Sequence, residues 1–275
     1  MKIVTSIFNS SNAINKMLKI LLYSAAKNEP KCDLIVYHTD LSREVMGEIN
    51  RKVSNVTFKF VSHVFDNGKE MASQKMALWK NAIDDLEDGD EVALMDCDML
   101  IVKPIGNVLD EFDCDFAYTA KDDIKSRCPL NTGIVFFKKA PLITPFLHKW
   151  CKDTDTKVKN GMSVKEINYY GAADQMVLCS LIGSFPYHGI RVENGLRLFG
   201  LFASEYNSHR HWDNIENAKI IHFKTGWKNV LNSDIQIYTE ALKLERWHES
   251  TSFDAKTWQP SYDIWKQYEK EYEEL

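Results

Sequence analysis

The chain has 275 residues, 44% of them apolar and 27% charged, and a formal net charge of -5. This is an ordinary composition for a globular protein long enough to bury a sizeable core, and the acidic balance excludes a global basic field of the kind that binds nucleic acid. Six cysteines without paired metal spacing read as free thiols, and no apolar run reaches the ~18 residues that a membrane span requires.

In chain order, KIVTSIF at 2–8 reads as a buried strand. It lacks the long apolar region and cleavage pattern of a leader, so a cytoplasmic protein is expected, with peripheral membrane contact left open. Ser10, Ser11 and Asn12 offer a turn and a cap, and Ile14, Met17, Leu18, Leu21, Leu22 and Ala25 then recur at helical spacing. LIVYHTD at 34–40 is a second strand, 41–52 a helix, and VTFKFV at 56–61 an alternating strand. Met76, Trp79, Ile83 and Leu86 form one helical stripe over 71–86, and the DGD turn at 88–90 leads into the strand EVALMD. Strands alternating with helices predict an α/β fold: a mostly parallel central sheet with helices on both faces and ligands beyond the carboxyl ends of the strands.

Further on, DFAYTA at 115–120 and TGIVFFKK at 132–139 read as strands around a polar loop. A short helix is expected over 141–151, and CKDTDTKVKNG reads as a solvated linker or loop. Another short helix is expected over 172–182, loops and short strands over 183–214, and a last strand KIIHF at 219–223. The remainder reads as helices. Trp258, Tyr262, Trp265, Tyr268 and Tyr272 recur there at helical intervals, which suits core packing or a membrane-surface or partner helix.

The strand EVALMD ends on Asp96, with Asp98 one residue beyond Cys97, and the chain at once turns apolar again as MLIVKPI. Alternation along a strand sends the two carboxylates to one side and Cys97 to the other. Two adjacent carboxylates repel unless something positive lies between them. Oxygen donors suit Mg²⁺ or Mn²⁺, which leave positions open for substrate phosphates. An acidic turn facing solvent is the plainer alternative.

EVALMDCDMLIVKPI resembles the DxD segment of GT-A fold glycosyltransferases, and is most similar to the retaining galactosyltransferase and glycogenin-like class (glycosyltransferase family 8-like). The resemblance implies a GT-A, Rossmann-like fold. It further implies a divalent cation, Mn²⁺ or Mg²⁺, held by Asp96 and Asp98 and bridging the diphosphate of a nucleotide sugar, a UDP-sugar being favoured. LNTGIVFFKK resembles the strand lining the donor-sugar pocket, which implicates Asn131, Thr132 and Gly133. YGAADQMVL resembles the Asp-Gln element, giving Asp174 and Gln175, which alternatively are helix-capping and first-turn residues. KIIHFKTGWK resembles the C-terminal element that supplies a third metal ligand, His222, and a diphosphate contact, Lys228. Gly226 comes one residue late there, and Asn229 and Val230 replace the usual Pro-Trp.

Lys75, one turn from Trp79, either snorkels outward or reaches donor phosphates or sugar. Asp122, Asp123 and Arg127 contact donor or acceptor or face water. His188 is an additional pocket candidate, and Tyr206-Asn207 resembles an acceptor-side element; His209 and His211, two apart, could mark a second metal site. The implied activity is transfer of a hexosyl group, with retention, from a nucleotide sugar to a hydroxyl of a glycan or other acceptor. A catalytic domain is expected over 1–230 and a helical extension over 231–275. A nucleotidyltransferase acting on sugar phosphates, or an inactive sugar-binding relative, are the alternatives. SIFNSSNAINK lacks the Gly-rich basic loop of the first.

Overall fold

The computed structural model describes residues 1–8, 10–62, 71–121, 129–183, 188–208, 215–223 and 255–275. The first half alternates as expected: β1 (Lys2–Ile7), α1 (Asn12–Asn28), β2 (Asp33–His38), α2 (Arg43–Lys52), β3 (Val56–Phe60), α3 (Met71–Asp85) and β4 (Glu91–Met95). Then follow β5 (Met99–Ile101), α4 (Val108–Glu111), β6 (Phe116–Ala120), β7 (Leu130–Lys138), α5 (Ile143–Asn160), α6 (Val164–Tyr170) and α7 (Ala173–Leu181). The chain continues through β8 (Gly189–Glu193), β9 (Leu196–Phe202), α8 (Ala203–Tyr206), β10 (Ile220–His222) and α9 (Ala255–Glu274).

Eight strands form one sheet in the order β3-β2-β1-β4-β7-β6-β9-β8. The β3-β2, β2-β1, β1-β4 and β6-β9 pairings are parallel, and β4-β7, β7-β6 and β9-β8 are antiparallel. The sheet is mixed and largely parallel, with a hydrophobic core on each face, as expected of a sheet buried on both sides. Ser11 caps α1 by accepting from the Ile14 N–H at 3.3 Å. On the face away from α1, Trp79 of α3 meets Trp150 of α5 edge to face, with ring centroids 5.7 Å apart.

Three expectations are corrected. The polar stretch after Trp150 continues α5 to Asn160. Thr154 and Asp155 there are buried, and Lys149–Asp153 and Lys159–Asp155 pair one turn apart, so a sequence poor in apolar residues still has an inward face. Secondly, β7 begins at Leu130, two residues before the expected start at 132, which brings Asn131 into the strand with Thr132 and Gly133. Between Tyr118 and Thr119 of β6 the opposite residue on β7 jumps from Val135 to Asn131, so the ladder bulges at Thr132–Ile134. Thirdly, β9 is a seven-residue strand within the main sheet, where loops and short strands are expected.

Three aromatics of α9 are core residues, and Tyr262 is partly buried beside them. Trp265, Tyr268 and Tyr272 are buried, and Trp265 meets Phe223 edge to face at 5.0 Å. Around them Asn28 donates to the Tyr268 hydroxyl at 3.0 Å, Lys27 pairs with Glu271 at 2.6 Å, and Lys16 pairs with Glu269.

Candidate active site

Asp96 follows the last residue of β4, at the carboxyl end of a central parallel strand. Its N–H donates to the Gly133 carbonyl at 2.7 Å, inside the β7 bulge. The turn Asp96–Cys97–Asp98 runs directly into β5, which pairs antiparallel with β10 so that His222 lies opposite Met99. The Phe223 N–H closes the turn by donating to the Asp98 carbonyl at 2.8 Å. Two short strands thus bring an imidazole from late in the chain to two carboxylates in its first half.

One ligand atom from each of Asp96, Asp98 and His222 lies within 4.8 Å of the others. His222 Nε2 is 3.2 Å from Asp98 Oδ1 and 3.8 Å from Asp96 Oδ2. An octahedral shell with bonds of roughly 2.0–2.1 Å separates neighbouring ligands by about 3 Å and opposite ones by about 4 Å. The two separations from His222 fall within that range, so the carboxylates and the imidazole can serve as ligands of one divalent cation. His222 is buried while the aspartates are partly exposed, leaving one side of the centre open to a ligand.

Lys75 lies beside the triad. Its Nζ meets Asp96 Oδ1 at 2.9 Å, the Thr132 carbonyl at 2.9 Å and Asp174 Oδ2 at 3.1 Å, and sits 4.3 Å from the centroid of the Trp79 ring. An ammonium has three N–H donors, and these contacts take all three. Burial works to lower the Lys75 pKa, but Asp96 and Asp174 outweigh it and hold the group above its ordinary value. Burial pushes the Asp96 carboxyl above the usual range, and Asp98 adds to this against the opposing pull of Lys75 and His222. A cation between the aspartates would relieve that repulsion.

Asp174 is the second residue of α7, so it is not the cap: Ala172 holds that position with no side-chain cap bond. The Asp174 carboxylate accepts from Lys75 and from Thr132 Oγ1, the latter at 2.6 Å. Gln175 Oε1 accepts from Asn131 Nδ2 at 2.7 Å, and its amide nitrogen donates to the Tyr170 carbonyl. Both α7 side chains are thus tied to the β7 bulge. Lys228, Asp122, Asp123, Arg127, His209 and His211 lie outside the described residues. His188 stacks on Phe202, with ring centroids 4.0 Å apart.

Asn207, likened from the sequence to an acceptor-side element, is fully buried beside His222 and is not open to an acceptor. Its Oδ1 lies 2.8 Å from His222 Nδ1, and its amide nitrogen donates at 2.8 Å to both Thr119 Oγ1 and Asn131 Oδ1. Thr119 carried no signal in the sequence.

The fold is of the GT-A type. No protein-family model and no curated protein sequence matches the chain. Among solved structures, it is similar to the glycosyltransferase GlyE of Streptococcus pneumoniae TIGR4, with a TM-score of 0.57 and 12% identity, over 98% of this chain and 62% of that one. The apo form of GlyE gives a TM-score of 0.53 at 12% identity, over 91% and 65%. The bifunctional glycosyltransferase WbbM in its apo form gives 0.55 at 12% identity, over 82% of this chain and 46% of that one. The chain spans about three fifths of the GlyE chain and under half of the WbbM chain. Among the described residues no helix is long and apolar enough to cross a membrane.

Proposed function

We propose that this protein is a metal-dependent glycosyltransferase. It moves a sugar, a hexosyl group in our reading, from a nucleoside-diphosphate sugar to a hydroxyl of a glycan or other acceptor, with retention of configuration. A UDP-sugar is the donor we favour, and Mn²⁺ or Mg²⁺ the ion. The observation that carries the proposal is the convergence of Asp96, Asp98 and His222 at the carboxyl end of β4. On open α/β sheets that is where ligands collect, and solved glycosyltransferases share the fold.

Asp96, Asp98 and His222 would hold the ion, which when bound supplies Lewis-acid stabilisation of a diphosphate leaving group. Lys75 balances the charge of Asp96 and Asp174 and keeps the α3, β4 and α7 sides of the site together. Asn131, Thr132 and Gly133, held by Asp174 and Gln175, form a rigid wall for the donor sugar. Such a wall keeps the reacting groups in register instead of ordering them at the moment of reaction. We assign Lys228 to the diphosphate, and Asp122 and Arg127 to the donor side. We read residues 1–230 as the catalytic unit, 231–275 as an extension and the setting as cytoplasmic.

The test is incubation with Mn²⁺, a panel of UDP- and GDP-sugars and a mixture of glycan acceptors. Metal-dependent release of nucleoside diphosphate, lost in Asp98→Asn, is the expected result. Absence of both turnover and metal-dependent nucleotide binding would refute the proposal.

A further inference from the structure

The amides behind His222 have their orientation fixed by groups of known polarity. The Gly133 backbone N–H can only donate, and it meets one end of the Asn131 amide at 2.9 Å, so that end is the oxygen. The opposite end, the NH₂, accordingly donates to Gln175 Oε1. Asn207 approaches the same Asn131 oxygen at 2.8 Å, so the Asn207 atom there is its nitrogen. That nitrogen also reaches Thr119 Oγ1, whose own proton goes to the Asn131 carbonyl at 2.8 Å. The remaining polar atom of the Asn207 amide is its oxygen, 2.8 Å from His222 Nδ1. An amide oxygen only accepts, so Nδ1 carries a proton and, in the neutral ring, Nε2 keeps its lone pair. Nε2 is the nitrogen that faces Asp96 and Asp98. Thr119, Asn131 and Asn207 are all buried, so water does not compete for these bonds.

We propose that Asn207 is a positioning residue: with Asn131 and Thr119 it sets the Nδ1–H tautomer of His222, and so turns the Nε2 lone pair toward a divalent cation between Asp96 and Asp98. The tautomer stands on the hydrogen bonds; its use rests on the metal reading proposed above. Partners that orient a ligating histidine typically contribute roughly 10–100-fold to metal affinity.

The first test needs no substitution beyond one for assignment. Long-range ¹H–¹⁵N spectra of metal-free protein with labelled histidine, taken above the titration range of the ring, report each tautomer directly. The His222 resonances are those lost in His222→Gln. A pyrrole-type Nδ1 and a pyridine-type Nε2 are expected; the reverse overturns the proposal. The second test is Asn207→Ala, which should lose the single-tautomer signature and bind Mn²⁺ roughly 10–100-fold more weakly by calorimetry. If that variant does not fold, Thr119→Val removes the outer acceptor at similar volume and should move both readouts the same way by less. Unchanged tautomer and Mn²⁺ affinity in the folded variant overturn the proposal. If the wild type binds no Mn²⁺ at all, the metal reading falls, and the tautomer spectrum still upholds or overturns the assignment of Asn207.

Discussion

Gly133 passes directly beneath the ring of His222. A methyl group added at its Cα would lie 2.6 Å from Cε1 and 2.7 Å from Nδ1 of that histidine, and 2.5 Å from the terminal carbon of Met99. Glycine is required here by close approach and not by a left-handed backbone, since its φ lies outside that region. Both neighbours are buried and cannot step aside freely. Gly133→Ala should therefore destabilise the fold by about 1–3 kcal/mol through overpacking, and it should weaken Mn²⁺ binding by shifting the imidazole. Urea unfolding and calorimetry measure the two effects, and a variant unchanged in both would contradict the approach described.

Lys75 is the cation shared by buried Asp174 and partly exposed Asp96, at 3.1 and 2.9 Å. Lys75→Met keeps much of the packing against Trp79 and removes the charge. Breaking a buried pair by deleting one partner costs about 3–5 kcal/mol, because the remaining charge is left uncompensated. The expected result is a loss of that size in metal-free denaturation, partly restored by Mn²⁺. A loss below about 1 kcal/mol, the usual worth of an exposed pair, would show that the cluster is solvated.

Trp265 joins α9 to the metal side of the molecule. It is fully buried against Phe223, and the N–H of Phe223 holds the carbonyl of Asp98. Trp265→Ala should cost about 3–5 kcal/mol. Amide exchange should speed up in both α9 and β10 if the two are coupled as the contacts imply. Faster exchange in α9 alone would disprove the coupling.

Acid should loosen the docking of α9. Burial raises the pKa of Glu269, but hydrogen bonds from Lys16 and Lys266 outweigh it and hold the group below its ordinary value. Glu271 is held down chiefly by its hydrogen bond from Lys27. On α2, burial of Glu48 is likewise overcome by Lys19, and the Tyr272 hydroxyl of α9 donates to the same carboxylate. Carboxyls depressed in the folded state stabilise it above their unfolded pKa, about 4.3 for Glu, and that contribution disappears as pH falls through the depressed values. Trp fluorescence and amide exchange should show α9 secure at pH 6 and weakening below pH ~4, with the onset moved upward in Lys16→Met. A docking unaffected between those limits would mean that the pairs contribute nothing.

The first half of the fold was legible because its strands are short apolar runs separated by helical stripes, and each period is a local property. The aspartate pair was legible for the same reason: an apolar strand stops on Asp96 and resumes just after Asp98. The β7 bulge was not, because Asn131 and Thr132 carry no mark of the register shift that Tyr118 and Thr119 impose from another strand. Lys149, Asp153, Asp155 and Lys159 hid the last turns of α5 behind a polar surface. Asn207 was visible as a residue but its place was not, since its partners Thr119 and Asn131 are 88 and 76 positions away. Polar networks of this kind have no period, and only the completed topology brings their members together.

The pairing of β5 with β10 also sets when the centre can exist. During synthesis β1 through β9 emerge with Asp96 and Asp98 but without the imidazole, which arrives only with His222. A nascent or truncated chain ending just before β10 would carry all eight strands of the main sheet and two mutually repelling carboxylates, with no third donor. Such a species should be a poor ligand for metal. Capture of the ion would then come last in folding, and would weight the equilibrium toward chains that have finished by about 2.7 kcal/mol at a free ion concentration 100 times the dissociation constant.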